Sequence, residues 1–434
     1  MKKIIIKNFG PFIDLDFTIE KQLNIFIGEQ AAGKSTLAKV IYFFRDIPDC
    51  FPMVSFAAYM QRNFDKSNIK TLFFKYLEDN FINSFSDTLL TKESYLQYYY
   101  NNNSYIELKI DKHKNINFVF SKEILIKLEN IITEWNEILS IVNDRNKVFQ
   151  VINSYEAKIK EIFDEDADTL YIPAARSIIS TIALENSYDL LKNDKFDYTV
   201  KNFISAMDAF KKLRWSNNPL KTLKIYLDNY DISKFNNKIK IKKYENIVQD
   251  ILKGHYLLEK DKEFIIINNQ KIEFQFASSG QQEVLWILNF LILSIINERK
   301  FFFVIEEPEA HLFTQTQLDV TKFIAMTANL TNSEIFITTH SPYILNAVNL
   351  LMYSGKVEKE SINANSIIDI LYRIDPKKVG AFYIKGGKLI DIIDPDEMLI
   401  QSEKIDEVAG GINLLFDKLI SLELNKQNGE NNGL

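Results

Sequence analysis

Leu23-Asn24-Ile25-Phe26-Ile27-Gly28-Glu29-Gln30-Ala31-Ala32-Gly33-Lys34-Ser35-Thr36 is the stretch that decides the fold. An apolar run ends on a glycine, and after four intervening residues comes Gly33-Lys34-Ser35, the spacing G-x-x-x-x-G-K-[ST]. Glycines at those places let the backbone wrap a polyphosphate. The loop N–H groups and the N-terminus of the following helix then point at negative charge. Lys34 would reach the β- and γ-phosphates, and the Ser35 hydroxyl would ligate Mg²⁺. The strand before the loop (Leu23–Ile27) and the helix-like stretch after it (Ser35–Phe44) supply the context this reading needs.

A second segment supplies acids. Phe301-Phe302-Phe303-Val304-Ile305-Glu306-Glu307-Pro308 is an apolar strand ending in two carboxylates. In a parallel sheet such a strand delivers its last residues to the edge where the phosphate loop lies. Glu306 would hold Mg²⁺ through water, and Glu307 would orient and polarise an attacking water. Adjacent glutamates are commonplace on surfaces, so their place after five apolar residues carries the weight. Upstream, Ser278-Ser279-Gly280-Gln281-Gln282-Glu283 opens an apolar helix; alone it fits an ordinary helix cap. Downstream, Thr338-Thr339-His340-Ser341-Pro342 closes the next strand, where His340 could touch a γ-phosphate. A lone histidine at a strand end is otherwise a cap or a surface residue.

Together these segments resemble the ABC-type ATPases of the AAA group. The run Glu306-Glu307-Pro308-Glu309-Ala310-His311-Leu312, with Thr339-His340-Ser341-Pro342, narrows the resemblance to the branch holding the OLD, RecF-like and SMC-like ATPases. It implies an α/β fold: an ABC-type P-loop ATPase head with a mostly parallel central sheet, an antiparallel β subdomain and helical insertions. It implies ATP and Mg²⁺ as cofactors. Gly28, Gln30, Gly33, Lys34, Ser35 and Thr36 would line the nucleotide. Ser279, Gly280 and Gln281 would do so from a signature loop that reaches the γ-phosphate bound by the opposite subunit. Ser35 and Glu306 would serve the metal, and Glu307 and His340 the reaction. Glu309–Leu312 takes the D-loop position. The pattern departs in two places: Glu306 stands where the superfamily has Asp, and no clear glutamine loop is visible. Tyr171-Ile172-Pro173-Ala174-Ala175-Arg176-Ser177 occupies its approximate place, with Arg176 either facing phosphate or a partner, or held in a structural salt bridge.

The last third alternates helix and strand: Gln281–Asn297, Phe301–Ile305, Thr314–Leu330, Glu334–Thr338 and Pro342–Met352, the signature of a mostly parallel sheet. Lys3–Phe9 and Asp14–Ile19 read as strands, Ser104–Ile110 and Asn115–Phe120 as a hairpin, and 51–90 as helical. Leu125, Leu128, Ile132, Trp135, Leu139 and Val142 form a heptad seam that resumes at Ile152. Two helices of about twenty residues would make a hairpin roughly 30 Å long. Asp168–Ile172 reads as a strand, as do His255–Leu258, Glu263–Ile267 and Lys271–Phe276. The expected organisation is a head made of 1–120, 168–180 and 255–423. A helical hairpin (121–167) and a second helical block (181–254) are inserted, and a disordered tail follows at 424–434.

Net charge is -6, so a nucleic-acid partner would need a local basic patch. Lys234, Lys238, Lys240, Lys242 and Lys243 are the candidate, although such alternation more often marks one solvated face. Cys50 is the only cysteine, which excludes an internal disulfide and suits a reducing cytoplasm. The N-terminus lacks a signal-peptide core. The longest apolar run, Val284–Ile296, is too short to span a bilayer.

The chain is expected to act as a homo-oligomer, a dimer or a multiple of dimers. A transporter motor would place its signature loop much closer to Lys34 than the 245 positions found here. A chromosome-organising ATPase would carry long coiled-coil arms. A RecF-like repair ATPase needs none, and a nucleotide-gated scaffold that scarcely turns over is a further alternative. The Glu-Glu-Pro-Glu-Ala-His-Leu motif with helical insertions resembles the ATPase subunits of bacterial anti-phage systems of the PARIS, septu and retron-associated types. There the ATPase senses or scaffolds, and a separate effector such as a nuclease does the damage. About 90 residues follow His340. They hold no acidic cluster of the kind found in OLD-type nuclease domains, and the four histidines form no zinc or nuclease pattern.

Overall fold

The computed structural model describes residues 1–60, 66–85, 89–90, 93–139, 144–179, 196–212, 246–259, 262–356 and 366–401. Its centre is a six-stranded sheet in the order β14-β13-β3-β12-β11-β7. The strands are β3 (Leu23–Gly28), β7 (Asp168–Ile172), β11 (Phe301–Glu306), β12 (Glu334–Thr339), β13 (Val379–Lys385) and β14 (Lys388–Asp391). All neighbours run parallel except the β13–β14 hairpin. Both faces are covered, so the strands read as near-continuous apolar runs.

Successive side chains alternate between those faces and so between two cores. Phe26, Tyr171, Phe302, Val304 and Phe336 pack against α1 (Lys34–Met60) and the antiparallel sheet. Ile25, Ile27, Leu170, Ile172, Phe303, Ile305, Ile335 and Ile337 pack against α6 (Tyr198–Lys212), α7 (Ser279–Asn297), α8 (Thr314–Thr331) and α9 (Pro342–Lys356). The antiparallel sheet has the order β2-β1-β4-β5-β6. It comprises β1 (Lys2–Phe9), β2 (Phe12–Ile19), β4 (Ser94–Tyr99), β5 (Tyr105–Ile110) and β6 (Ile116–Phe120). A small meander of β8 (His255–Glu259), β9 (Lys262–Ile267) and β10 (Gln270–Glu273) leads into α7.

The α/β class with its parallel centre and antiparallel subdomain is as the sequence implies, and several local expectations change. Helix α1 does not stop near Phe44 but runs 27 residues, through Pro48 and Pro52. Proline at 48 removes the N–H that would bond the Phe44 carbonyl. The Tyr100 hydroxyl donates to that carbonyl instead, so the buried group is satisfied. The helical insertion is three helices: α3 (Lys122–Leu139), α4 (Arg145–Ser154) and α5 (Glu156–Ile162). Their Leu128, Ile132, Trp135, Ile152 and Ile159 belong to the same core as α1, β1 and β2; α4 and α5 lie against α1, and Trp135 of α3 stacks on Phe51 of α1. Residues 274–276 form a 3-10 turn where a strand was expected. Strands β4, β13 and β14 were not anticipated. Within the 181–254 block, α6 and a helix at 246–252 are described. The basic run at 234–243 and the tail at 424–434 lie outside the described residues. No helix among the described residues is long and apolar enough to cross a membrane.

At the N-terminal end of the parallel strands sits Arg45, fully buried. Its guanidinium donates to Glu165 Oε2 at 2.7 Å and to Glu334, and it lies 4.1 Å from the centre of the Phe302 ring. Lys2 and Lys300 complete the network on Glu165 and Glu334.

Candidate functional site

Strand register brings the segments together. Ile172 is paired with Ile305, Glu306 with Thr338, Thr339 with Ile27, and Gly28 with Ile384. The C-terminal ends of β7, β11, β12, β3 and β13 are therefore level, and the loops leaving them share one edge.

From β3 the chain passes through Glu29, Gln30 and Ser35, all exposed, with Gly28 and Gly33 buried and Thr36 half-buried. Ala31 and Gly33 have φ of 60° and 108°. A Cβ on Gly33 would lie 2.4 Å from Pro11 Cγ, so glycine is required on both counts. The Leu37 N–H donates to the Gly33 carbonyl at 2.9 Å, closing the first turn of α1. Lys34 is 6% exposed. Its ammonium folds back over the loop and donates to the Gly28 and Glu29 carbonyls at 2.8 and 2.9 Å. Burial lowers the Lys34 pKa, while Glu307, Glu309 and Glu306 pull it upward. The lysine thus lies within the field of the acids that end β11.

Glu306 is 6% exposed. Its Oε2 accepts from the Ala174 N–H at 3.1 Å, and its Oε1 is buried without a hydrogen-bond partner. Glu307 leaves the sheet through a left-handed backbone (φ 42°). Its N–H still donates to the Thr338 carbonyl at 2.8 Å. Its side chain opens to solvent, where its Oε1 lies 3.5 Å from His340 Nε2. Glu309 is committed elsewhere: its Oε1 accepts from Thr339 Oγ1 at 2.6 Å and from the His340 N–H at 2.9 Å.

This donor set fits a magnesium ion. Mg²⁺ takes one or two carboxylates and keeps water and phosphate oxygens for its other positions. An orphaned buried Glu306 Oε1 and an exposed Ser35 hydroxyl supply oxygen ligands of that kind. No cluster of three or more His, Cys, Asp or Glu ligands occurs among the described residues.

Helix α7 begins at Ser279 with Ser278 as N-cap in a reciprocal capping box with Gln281. The Gln281 side chain is turned inward, its Nε2 donating to the Leu252 carbonyl at 2.6 Å. It serves the cap, while Ser279 is exposed and Gly280 half-buried. A Cβ on Gly280 would sit 2.8 Å from the His311 carbonyl oxygen. The start of α7 thus leans on the turn at 307–312 of its own chain.

Arg176 does not face phosphate. It is fully buried, with its Nε 3.3 Å from the Glu283 carboxylate. Glu283 was not singled out in the sequence. Its signal is a lone carboxylate in the first turns of an otherwise apolar helix, and it is 2% exposed.

The family model described as AAA ATPase domain matches residues 1–345. No curated protein matches the chain in sequence. Among solved structures, the chain is similar to an SMC head bound to the C-terminal winged-helix domain of ScpA. Identity there is 10%, over 92% of this chain and 99% of that one, with a TM-score of 0.43. It is also similar to the SMC head domain from Thermotoga maritima, at 10% identity over 90% and 97% of the two chains, with a TM-score of 0.37.

Proposed function

This chain belongs to the AAA ATPase domain family, and on that premise we propose that it binds ATP with Mg²⁺ and hydrolyses it between two copies of itself. The observation that carries the reading is the open Glu307–His340 pair, 3.5 Å apart, on the sheet edge that also holds Lys34 and Glu306. Lys34 exchanges the Gly28 and Glu29 carbonyls for β- and γ-phosphate oxygens. Ser35 and Glu306 hold the metal, which when bound neutralises charge on those oxygens. Glu307 accepts the proton of the attacking water, and His340 steadies Glu307 and the γ-phosphate.

The second copy is supported by what the edge leaves uncovered. Ser279 and Gly280 stand at the start of α7, and four apolar side chains are exposed on the segments that lead into it or leave the strand ends: Phe276 just before α7, Ile178 in the turn after β7, Phe313 at the N-cap of α8 and Tyr343 in the first turn of α9. Apolar side chains gathered at one edge mark an interaction surface more often than a free one. Two defective proteins test the trans arrangement: Lys34→Ala and Ser279→Arg, each inactive alone. A mixed dimer regains one site with Lys34 facing Ser279, so mixing should restore part of the ATPase activity. Failure of every mixture, with both variants still assembling, would remove the trans arrangement. ATP-dependent assembly without turnover in the wild type would leave a nucleotide-gated scaffold.

The Glu306–Leu312 motif and helices α3–α5 packed into the head, with no long arm among the described residues, support a role as the ATPase subunit of an anti-phage system with a separate effector. Phage plating on cells carrying this gene and its neighbour tests that role: protection should vanish with Lys34→Ala. Sensitivity to DNA damage without any change in plating would favour a RecF-like repair ATPase.

A further inference from the structure

The chemistry just described makes no use of Arg176, yet few side chains in the molecule are bonded so fully. The end of β7 turns through Ala175 in a left-handed backbone (φ 57°), which sends Arg176 back beneath the strand ends. Its Nη1 donates to the Pro173 carbonyl at 2.7 Å and to the Glu306 carbonyl at 2.6 Å. Its Nη2 donates to the Glu307 carbonyl at 2.9 Å, and its Nε to the Glu283 carbonyl at 2.7 Å. The Glu283 carboxylate answers with three bonds: it accepts the Arg176 N–H at 3.1 Å, the Ser177 N–H at 3.2 Å and the Ser177 hydroxyl at 2.7 Å.

We propose that Arg176 is a positioning residue: with Glu283 it forms a strut that ties Glu307 to the first turns of the helix carrying Ser279 and Gly280. The inference rests on the ATPase reading above and adds a dependence that reading lacks. Glu283 lies one turn beyond Ser279 on α7, and the Glu306 and Glu307 carbonyls flank the backbone that aims the Glu307 carboxylate. The Glu307 carbonyl also accepts the Ala310 N–H at 3.0 Å, so strut and turn share one oxygen. A displacement of the start of α7 is then felt at Glu307 of the same chain. If α7 contacts the partner's nucleotide, each subunit's base is aimed only when its signature helix is seated.

An ion pair kept only for stability would need no such pattern. Four guanidinium bonds go to backbone carbonyls on three separate segments, which the planar, five-donor fork of arginine can do and a lysine cannot. Displacing a reacting group by about 1 Å costs on the order of 10²-fold in rate, so slackening the strut should show in turnover before binding.

Arg176→Lys keeps the charge and loses the fork; Glu283→Gln keeps the shape and loses the charge. Each is measured for ATP affinity, kcat and, without nucleotide, hydrogen exchange at residues 279–283 and 306–312. The expected result is kcat lowered roughly 10- to 100-fold, with affinity within about threefold and faster exchange at both segments while β3 and β12 stay protected. Unchanged kcat, or kcat and affinity falling together, would overturn the proposal, as would failure of both variants to fold. Absence of turnover in the wild type would instead sink the ATPase reading itself.

Discussion

The parallel strands end, on one side, around Arg45 and, on the other, around Arg176. Both arginines are fully buried, but their surroundings differ in kind. Arg45 meets two carboxylates and a phenyl face, with Lys2 and Lys300 joining the network. Left-handed residues near that end are Glu298 and Asn332, both helix C-caps, and Asp164 just after α5. Such backbone is ordinary at those positions. Arg176 meets mostly carbonyl oxygens, among the left-handed Ala31, Ala175, Glu307 and His311. Buried polar atoms without partners occur at both ends, Glu306 Oε1 and Glu309 Oε2 at this edge and Arg45 Nε and Glu165 Oε1 at the other, so the backbone is what tells them apart. Backbone held in sparsely populated conformations persists only where surrounding structure enforces it, and it gathers where chemistry is done. One end of the sheet is closed by charge; the other is held open by backbone.

If that contrast is right, the two ends should fail differently. Arg45→Ala removes the buried central countercharge of Glu165 and Glu334, leaving them only the half-buried Lys2 and Lys300, and should cost up to about 3–5 kcal/mol, read as a lowered urea midpoint. The ATP affinity of the folded fraction should stay unchanged, and a matching loss of affinity would erase the distinction. Glu307→Gln should do the reverse. Turnover should fall at least ~10²-fold with the urea midpoint and ATP binding preserved; near-normal turnover would move the base to another group.

The smallest effect is in acid. Burial works to raise the Glu334 carboxyl, but Arg45 outweighs it together with Lys2 and Lys300 and holds it well below the usual carboxylate range. The folded state therefore keeps Glu334 ionised where the unfolded chain takes up a proton. Its stabilising contribution is complete above the unfolded value of about 4.3 and drains away as pH falls below it. The urea midpoint of the wild type should drop more steeply below pH ~4.3 than that of Glu334→Gln. Parallel curves would show that the network at this end is not charge-controlled.

What could be read from the sequence follows from how local the physics is. Gly28–Ser35 and Phe301–Glu307 each carry strand, turn and chemistry within a few residues, and the structure sets them on one edge. The end of α1 was hidden because Pro48 and Pro52 argue for a break. The compensating donor, Tyr100, is remote in sequence. Strand β4, Ser-Tyr-Leu-Gln-Tyr-Tyr, shows no clean alternation because Ser94, Leu96, Gln97 and Tyr98 are all buried. Gln281 matched a ligand-binding motif and a helix cap equally, and only its bond to the Leu252 carbonyl separates the two. Arg176 was open for the same reason: its partners are carbonyls, which no sequence pattern displays.

Strand order has a consequence for how the chain is made. On the ribosome, β1 through β6 are available once residue 120 has emerged, so the antiparallel sheet can close early. β3 cannot: its neighbours are β12 and β13, which begin at residues 334 and 379. At about 5–20 residues per second, the strand leading into the phosphate loop waits roughly 15–60 s for a partner. During that time its four apolar side chains, Leu23, Ile25, Phe26 and Ile27, depend on α1 and the early sheet for shelter. A nascent chain arrested before residue 334 should therefore be the form most exposed to chaperones and proteases.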